Sequence, residues 1–289
     1  MAEHFPDLID MRSVRISIDD SFNWIVEHWG AVLEEIFLPV VHLLIAIENF
    51  LLWLPWYAVL IIIAIMGFAA TRSWKTAAGL SVLMFLLGFF GLWEPGMKTG
   101  ALMLTATLLA VIIGIPLGIW MSRSGGVERV ILPVLDIMQT MPAFVYLIPV
   151  VMLLGIGKVP GVIAVVIYAI PPVIRLTNLG IRLVDKEVLE AAAAFGATPL
   201  QRLFGVQIPL AMPTIMAGIN QTIMMALAML VITALVGTRE LGQEVYTALA
   251  SADTGRGLVA GVCVAFIAII ADRLIGAWAK RRKQELGLE

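Results

Sequence analysis

Charged residues are scarce in this sequence, and their scarcity excludes an ordinary soluble protein. Of the 289 residues, 14% are charged and 61% are hydrophobic, whereas a soluble domain averages about 25% charged residues. The mean hydropathy of +0.98 requires several apolar runs of roughly 20 residues each. The 14 prolines and 25 glycines favour membrane helices over an outer-membrane barrel. The composition therefore predicts an all-α polytopic membrane protein.

Metal-binding and catalytic motifs are also missing. Cys263 is the single cysteine, so no disulfide can form within one chain, and the three histidines stand apart from one another. The chain lacks a G-x-x-x-x-G-K-[ST] phosphate loop, an H-E-x-x-H zinc motif and a G-x-S-x-G nucleophile turn. We expect no catalytic residue, no metal site, no cofactor and no nucleic-acid partner. The missing phosphate loop predicts that the chain does not bind ATP itself.

Apolar runs between charged flanks predict about seven transmembrane helices. They cover residues 56–71, 76–93, 99–121, 131–157, 159–178, 209–236 and 257–279. With the C-terminus in the cytoplasm, the inner loops collect twelve basic residues and the outer loops only four, in agreement with the positive-inside rule. This orientation places the N-terminus outside.

Residues 22–51 form an amphipathic stretch that admits two interpretations. Their apolar positions recur at helical spacing, and the opposite face carries acids, histidines and an asparagine. Such a helix is predicted to lie in the membrane interface, with a kink at Pro39. If residues 36–54 span the membrane instead, the count rises to eight and the N-terminus moves to the cytoplasm.

One polar interruption, residues 179–208, separates the fifth and sixth predicted spans. Asp185 can cap a helix that continues through a run of alanines. Gly196 then supplies a sharp turn. Thr198 followed by Pro199 opens a second short helix, with threonine as the cap and proline as its first residue. We therefore predict two short helices on the cytoplasmic surface, with Pro209 ending this unit at the return into the membrane.

The spacing within this loop resembles the EAA signature of the membrane subunits of bacterial ABC importers. That pattern reads EAA, three residues, Gly, nine residues, then Ile, any residue, Leu, Pro. The chain has Glu190-Ala191-Ala192, Gly196 and a final V-Q-I-P ending at Pro209, with Val for Ile and Ile for Leu. Outside the loop, LDIMQTMPAFVYLIPVVMLLGIGKVPG, YAIPPVIRLTNLGIR, PLAMPTIMAGINQT and LGQE are similar to the glycine betaine/proline/choline (quaternary amine) branch.

The resemblance implies an ABC type I importer permease in the bacterial inner membrane. Its EAA loop, residues 185–209, would form coupling helices that dock on a cytoplasmic ATPase present in two copies. The coupling residues carried over are Glu190, Ala191, Ala192, Gly196 and Pro209. The implied partners also include a second copy of the chain, the lipid bilayer and a periplasmic or lipid-anchored solute-binding protein. The implied cargo is glycine betaine, proline betaine or a related compatible solute.

These observations divide the chain into four parts. The predicted parts are an acidic N-terminal segment with the amphipathic helix (1–55), two extra transmembrane helices (56–94), the permease core (95–280) and a cytoplasmic tail (281–289).

Polar residues inside the predicted spans are candidates for the translocation path, because lipid disfavours an unsatisfied polar group. Hydrogen bonding between helices is the alternative explanation for each of them. The path candidates are Thr107, Gln139, Thr140, Tyr146, Asn220, Gln221 and Thr222. In the outer loop, the candidate charges for docking the binding protein are Arg239, Glu240, Glu244 and Asp253.

Two other functions stay open at this point. One is a permease of the same family for choline or another small amine, because the discriminating aromatic pocket of this family belongs to the separate binding protein. The other is an ion-coupled secondary transporter. It would need an acid that titrates within the membrane, and Asp136 and Asp272 are the available choices.

Overall fold

A computed structural model describes residues 10–287, and every regular element in that range is helical. The helices are, in chain order, α1 (Met11–Trp53), α2 (Trp56–Thr71), α3 (Trp74–Phe89), α4 (Trp93–Arg123), α5 (Gly125–Thr140), α6 (Ala143–Leu154), α7 (Lys158–Ala169), α8 (Pro171–Arg182), α9 (Lys186–Ala194), α10 (Pro199–Arg202), α11 (Ile208–Thr233), α12 (Leu241–Ala250) and α13 (Thr254–Glu285). A π-helical turn, Leu203–Gln207, joins α10 to α11. The predicted all-α class is confirmed.

Within residues 10–287, five helical stretches are long and apolar enough to cross a membrane. They are Glu35–Trp53, Trp93–Arg123, Lys158–Arg182, Pro199–Val236 and Thr254–Glu285. The bent pair of α5 and α6 makes a sixth if it is counted as one span. α2 and α3 are apolar but have 16 residues each, a length of about 24 Å against a hydrocarbon core of about 30 Å. The count of seven or eight spans stays a prediction.

The amphipathic stretch lies within one uninterrupted helix, α1, with Pro39 inside it. Its last 19 residues, Glu35–Trp53, have the length and hydropathy of a span, as in the second interpretation above. This part of α1 packs against α4 and α6, with Leu44 buried in the main apolar cluster. The side of the membrane on which the N-terminus lies stays a prediction. Residues 1–9 of the predicted acidic segment and residues 288 and 289 of the predicted tail lie outside the described residues.

The predicted span 131–157 is wrong as a single helix. α5 ends at Thr140, α6 begins at Ala143, and their axes differ by 102°. Pro142 explains the break, because it has no N–H to donate and holds the preceding residue in the extended region. Met141 accordingly has φ −69° and ψ 136°.

α8 lies at the centre of the bundle, packed between α4 and α11. A Cβ atom on Gly118 of α4 would come within 2.6 Å of Thr177 Cβ and 2.7 Å of the Ile174 carbonyl oxygen. On the other side, a Cβ atom on Gly218 of α11 would lie 3.0 Å from Leu176 Cβ. Glycine therefore permits both close helix contacts.

α2 and α3 form a hairpin that packs on α13. A separate apolar cluster holds this hairpin, with Val59, Leu80 and Met84 from the hairpin against Met97 and Ile270. The hairpin thus lies beside the bundle that contains α4 to α13, as a separate N-terminal addition would. The domain boundaries themselves stay predictions.

Candidate functional site

The polar segment between α8 and α11 folds as a helical hairpin whose caps are those expected from the sequence. The Asp185 carboxylate accepts a hydrogen bond from the Glu187 backbone N–H at 2.9 Å and begins α9. Thr198 begins α10 with a reciprocal capping box, since its hydroxyl accepts from the Gln201 N–H and the Gln201 side chain accepts from the Thr198 N–H. Each cap satisfies a backbone N–H at the helix start. Both predicted helix starts are confirmed.

Gly196 makes the turn between the two short helices. Its φ is +82°, a left-handed conformation in which a side chain would strain the backbone. The Ala197 N–H donates to the Ala192 carbonyl and the Gly196 N–H to the Ala193 carbonyl, the pattern of a Schellman motif. The predicted turn at Gly196 is confirmed. We call residues 185–207 the coupling hairpin from here on, after the role that the resemblance implies.

The coupling hairpin exposes apolar side chains outside the long apolar helices. No residue of α9 is buried, and Phe195 is 92% exposed, with Leu200 and Phe204 also well exposed. Glu190 and Ala191 are exposed beside them, and Ala192 is half-buried. An exposed apolar patch with a polar rim is typical of a protein interaction site.

The base of the coupling hairpin is fixed to two helices of the bundle. Leu203 of the π-helical turn is buried in a cluster with Ile181 of α8 and with Ala211 and Ile215 of α11. A displacement of the hairpin would therefore move α8 and α11 together.

The hairpin ends next to Pro209, as predicted, but without a break in the helix. The chain runs helically from Pro199 to Val236, with Pro209 as the second residue of α11. A proline is tolerated in a first helical turn because its missing N–H has no partner to lose. The preceding Ile208 N–H instead donates to the Leu203 carbonyl, five residues back.

Three of the predicted path residues lie at the break between α5 and α6. Gln139 and Thr140 are exposed at the end of α5. The buried Tyr146 donates its hydroxyl to the Met138 carbonyl across the break, and its ring packs edge-on against Tyr168 at 5.7 Å. Tyr146 thus holds the bend, and irregular backbone inside a membrane protein requires protein or water around it.

An ion pair missed by the sequence analysis lies one turn from this break. Arg175 Nη2 of α8 is 2.5 Å from Asp136 Oδ1 of α5, with side chains 36% and 63% exposed. Because charged side chains do not face lipid, this exposed pair marks a surface of the chain that meets water or another protein. One face of α5 carries Asp136, Gln139 and Thr140 at i, i+3 and i+4 spacing. This polar face is the sequence signal that could have pointed to the ion pair.

The remaining path candidates lie elsewhere. Asn220 donates from Nδ2 to Asp272 Oδ1 at 2.7 Å, joining α11 to α13, and Gln221 is exposed. Thr107 and Thr222 are buried, each with a hydroxyl that has no hydrogen-bond partner among the described residues. α11 packs against α7, α8 and α13, whereas α5 packs against α4 and α8. The structure therefore does not gather the seven path candidates into one cluster.

Two of the four predicted docking charges have partners within the chain, and a third is buried. Glu244 pairs with Arg256 at 2.7 Å, and Asp253 caps α13 by accepting from the Arg256 N–H at 3.0 Å. Glu240 is only 3% exposed. Arg239 is exposed. Arg239 is therefore the docking candidate whose placement best fits the predicted role.

Glu240 lies in a buried polar group at the start of α12. One of its carboxylate oxygens, Oε2, has no hydrogen-bond partner among the described residues. Burial raises the pKa of Glu240 above its usual 4.5, and the negative charge of Glu48 adds to the rise, whereas the Thr238 side chain and Lys158 oppose it. The folded state thus binds a proton at Glu240 more tightly than the unfolded chain does.

Glu240→Gln should stabilise the protein at neutral pH by about 1 kcal/mol, the typical cost of an unsatisfied buried polar group. Because the pKa of Glu240 is raised in the folded state, protonation of its carboxyl group stabilises the folded wild type. This stabilisation is fully present below about pH 4.5, the usual value, and is lost as the pH rises through the folded pKa. Melting temperatures in detergent should therefore differ most at pH 7 and converge toward pH 4.5. Glu244→Gln should show no such gain, because Arg256 already pairs with that carboxylate. A lower melting temperature for Glu240→Gln at pH 7 would contradict this interpretation.

Comparison with known proteins gives consistent matches. The family described as binding-protein-dependent transport system inner membrane component matches residues 110–284. The chain is 44% identical over 279 residues to the glycine betaine/proline betaine transport system permease protein ProW of Escherichia coli strain K12, covering 95% of this chain and 78% of ProW. It is 51% identical over 214 residues to the glycine betaine/carnitine transport permease protein GbuB of Listeria monocytogenes, covering 74% and 76%.

The fold has a match among solved structures. A chain of the inward-facing MetNI methionine ABC transporter aligns with a TM-score of 0.58 at 18% identity, covering 64% of this chain and 92% of that one. At this identity the likeness concerns the fold alone, and it supports the ABC type I permease architecture.

Proposed function

The chain belongs to the binding-protein-dependent transport system inner membrane components, the permeases of ABC importers, and on this premise we propose that its cargo is glycine betaine, proline betaine or a related quaternary amine. The observation that carries the proposal is the 44% identity to ProW, which extends over 95% of the chain. The names of ProW and GbuB both include glycine betaine.

We further propose that the energy comes from a separate ATPase docked on the coupling hairpin. ATP and magnesium would be bound by two copies of that ATPase, with no cofactor on this chain. The exposed Phe195, Leu200 and Glu190 support the docking surface. Because each chain has one coupling hairpin and two ATPase copies need two, a second copy of this chain would complete the transporter. Closure of the ATPases would then rock the bundles between outward-open and inward-open forms.

The proposed orientation follows from the hairpin. If the hairpin meets a cytoplasmic ATPase in a bacterial inner membrane, the C-terminus is cytoplasmic and the loop around Arg239 lies outside. A periplasmic or lipid-anchored solute-binding protein would dock on that outer loop. The N-terminus would lie outside if the amphipathic stretch stays in the interface, and in the cytoplasm if residues 36–54 span the membrane.

The ion-coupled alternative receives no support from its two candidate acids. Asp136 pairs with Arg175, and Asp272 accepts from Asn220. Each of these carboxylates therefore has a fixed partner on another helix, which supports a structural role for both.

Uptake of labelled glycine betaine into proteoliposomes tests the function. The vesicles would contain the chain, its ATPase and its binding protein. We expect uptake to continue when ion gradients are collapsed and to stop when internal ATP is depleted. Uptake that depends on an ion gradient and ignores ATP would contradict the proposal. Titration of the binding protein with glycine betaine, proline betaine and choline would then identify the solute.

A further inference from the structure

A basic pocket lies between the α2–α3 turn and the C-terminal part of α13. Its volume is about 710 Å³, and its lining includes Arg72, Arg273, Lys280 and Arg281 together with one acid, Asp272. Gly276 forms part of the wall, and a Cβ atom added there would meet nothing within 4 Å. The pocket is therefore open in front of Gly276 and strongly positive.

The lining carries more positive than negative charge. Asp272 is its one acid and accepts a hydrogen bond from Asn220, and Arg281 pairs with Glu285 at 3.1 Å. Within residues 10–287, the side chains of Arg72, Arg273 and Lys280 form no hydrogen bond or ion pair. Three unpaired cations around one cavity repel one another and would be stabilised by an anion placed between them.

Two exposed tryptophans indicate that the pocket lies near the level of the lipid headgroups. Trp74 and Trp278 flank it in sequence and are 74% and 55% exposed, as expected of tryptophans that anchor membrane helices at the headgroups. α2 ends at Thr71 and α3 begins at Trp74, so the apolar segments stop at this level. Thr76, in the first turn of α3, also lines the pocket.

We propose that this pocket binds the phosphate headgroup of an anionic membrane phospholipid. Basic pockets between transmembrane helices at the cytoplasmic surface suit such headgroups, and this one opens where headgroups lie. The position of the pocket also favours lipid over an acidic segment of the ATPase. The pocket lies where α2 and α3 pack on α13, whereas the coupling hairpin, the proposed ATPase site, is fixed to α8 and α11. The bound lipid would hold the α2–α3 hairpin against α13, and this role does not depend on which solute is transported.

Native mass spectrometry of the full-length chain, titrated with dioleoyl phosphatidylglycerol or dioleoyl phosphatidylcholine, tests the proposal. The wild type should prefer phosphatidylglycerol. The double substitution Arg273→Gln and Lys280→Gln should weaken that lipid on the order of 30-fold, the value of two basic residues near a membrane surface, and leave phosphatidylcholine unchanged. The matched control, Lys75→Gln with Lys283→Gln, removes two nearby positive charges that do not line the pocket. It should bind as the wild type does.

A second variant separates the pocket from its charge. Gly276→Trp keeps every basic residue and fills the open wall, so it should also lose the preference for phosphatidylglycerol. Equal losses in the control and in the double variant would overturn the proposal, because the attraction would then be diffuse. Displacement of the lipid by millimolar inorganic phosphate would overturn it in favour of a soluble anion. Unchanged lipid binding in both pocket variants, with loss of the co-purifying ATPase, would show that the pocket docks a protein.

Discussion

Glu190→Lys should abolish ATP-driven uptake while the chain remains folded and inserted. Glu190 is exposed on α9 and makes no hydrogen bond or ion pair within residues 10–287, so its replacement should change stability by less than about 0.5 kcal/mol. If its carboxylate meets a positive group on the ATPase, the lysine turns that attraction into repulsion, and like charges across an interface cost several kcal/mol. Uptake should fall to background, and the ATPase should no longer co-purify with the chain.

Glu27→Lys is the matched control for this result. It makes the same charge change at an exposed position of α1, away from the coupling hairpin, and should retain both uptake and the ATPase. Normal uptake by Glu190→Lys would show that Glu190 does not contribute to docking.

Lys158→Met should destabilise the protein by about 3 kcal/mol. Lys158 Nζ at the start of α7 is 2.6 Å from Glu48 Oε2 of α1, and the Glu48 side chain is only 11% exposed. Without the lysine, Glu48 would keep a buried charge that also acts on Glu240, and removing one partner of a buried ion pair is strongly destabilising. Chemical unfolding in detergent should show the loss, and α1 should become more sensitive to protease.

The double substitution Glu48→Gln and Lys158→Met should recover most of that stability, since it leaves no unpaired charge between α1 and α7. Lys98→Met provides the comparison, because it breaks the ion pair between Lys98 and Glu94. The Glu94 side chain is 66% exposed. Such a solvent-exposed pair contributes little to stability, because water screens it. If Lys158→Met and Lys98→Met cost the same, Glu48–Lys158 does not fix α1 to the bundle.

The coupling hairpin could be predicted almost residue by residue because its signals are local. The cap at Asp185, the turn at Gly196 and the box that Thr198 begins each depend on a few neighbouring residues. The continuous helix through Pro209 escaped prediction, because a proline stops a helix interior but not a first turn, and the sequence alone does not say in which of these it lies.

Long-range features were beyond the sequence. Residues 131–157 form one apolar run, and hydropathy records how apolar a segment is but not its direction, so the 102° bend after Thr140 was missed. The Asp136–Arg175 pair joins positions 39 residues apart. Glu240 was predicted to be a surface charge of the outer loop. Its burial was missed, because no local sequence pattern shows that this loop folds toward Lys158.

A photo-cross-linking experiment tests most directly whether the coupling hairpin is where the ATPase docks. Benzoylphenylalanine would replace Phe195 at the hairpin turn in one sample and Leu249 of α12, which is 79% exposed, in another. Illumination of membranes that contain the assembled transporter should link position 195, and not position 249, to the ATPase. Capture of the ATPase from position 249 with none from position 195 would contradict the account.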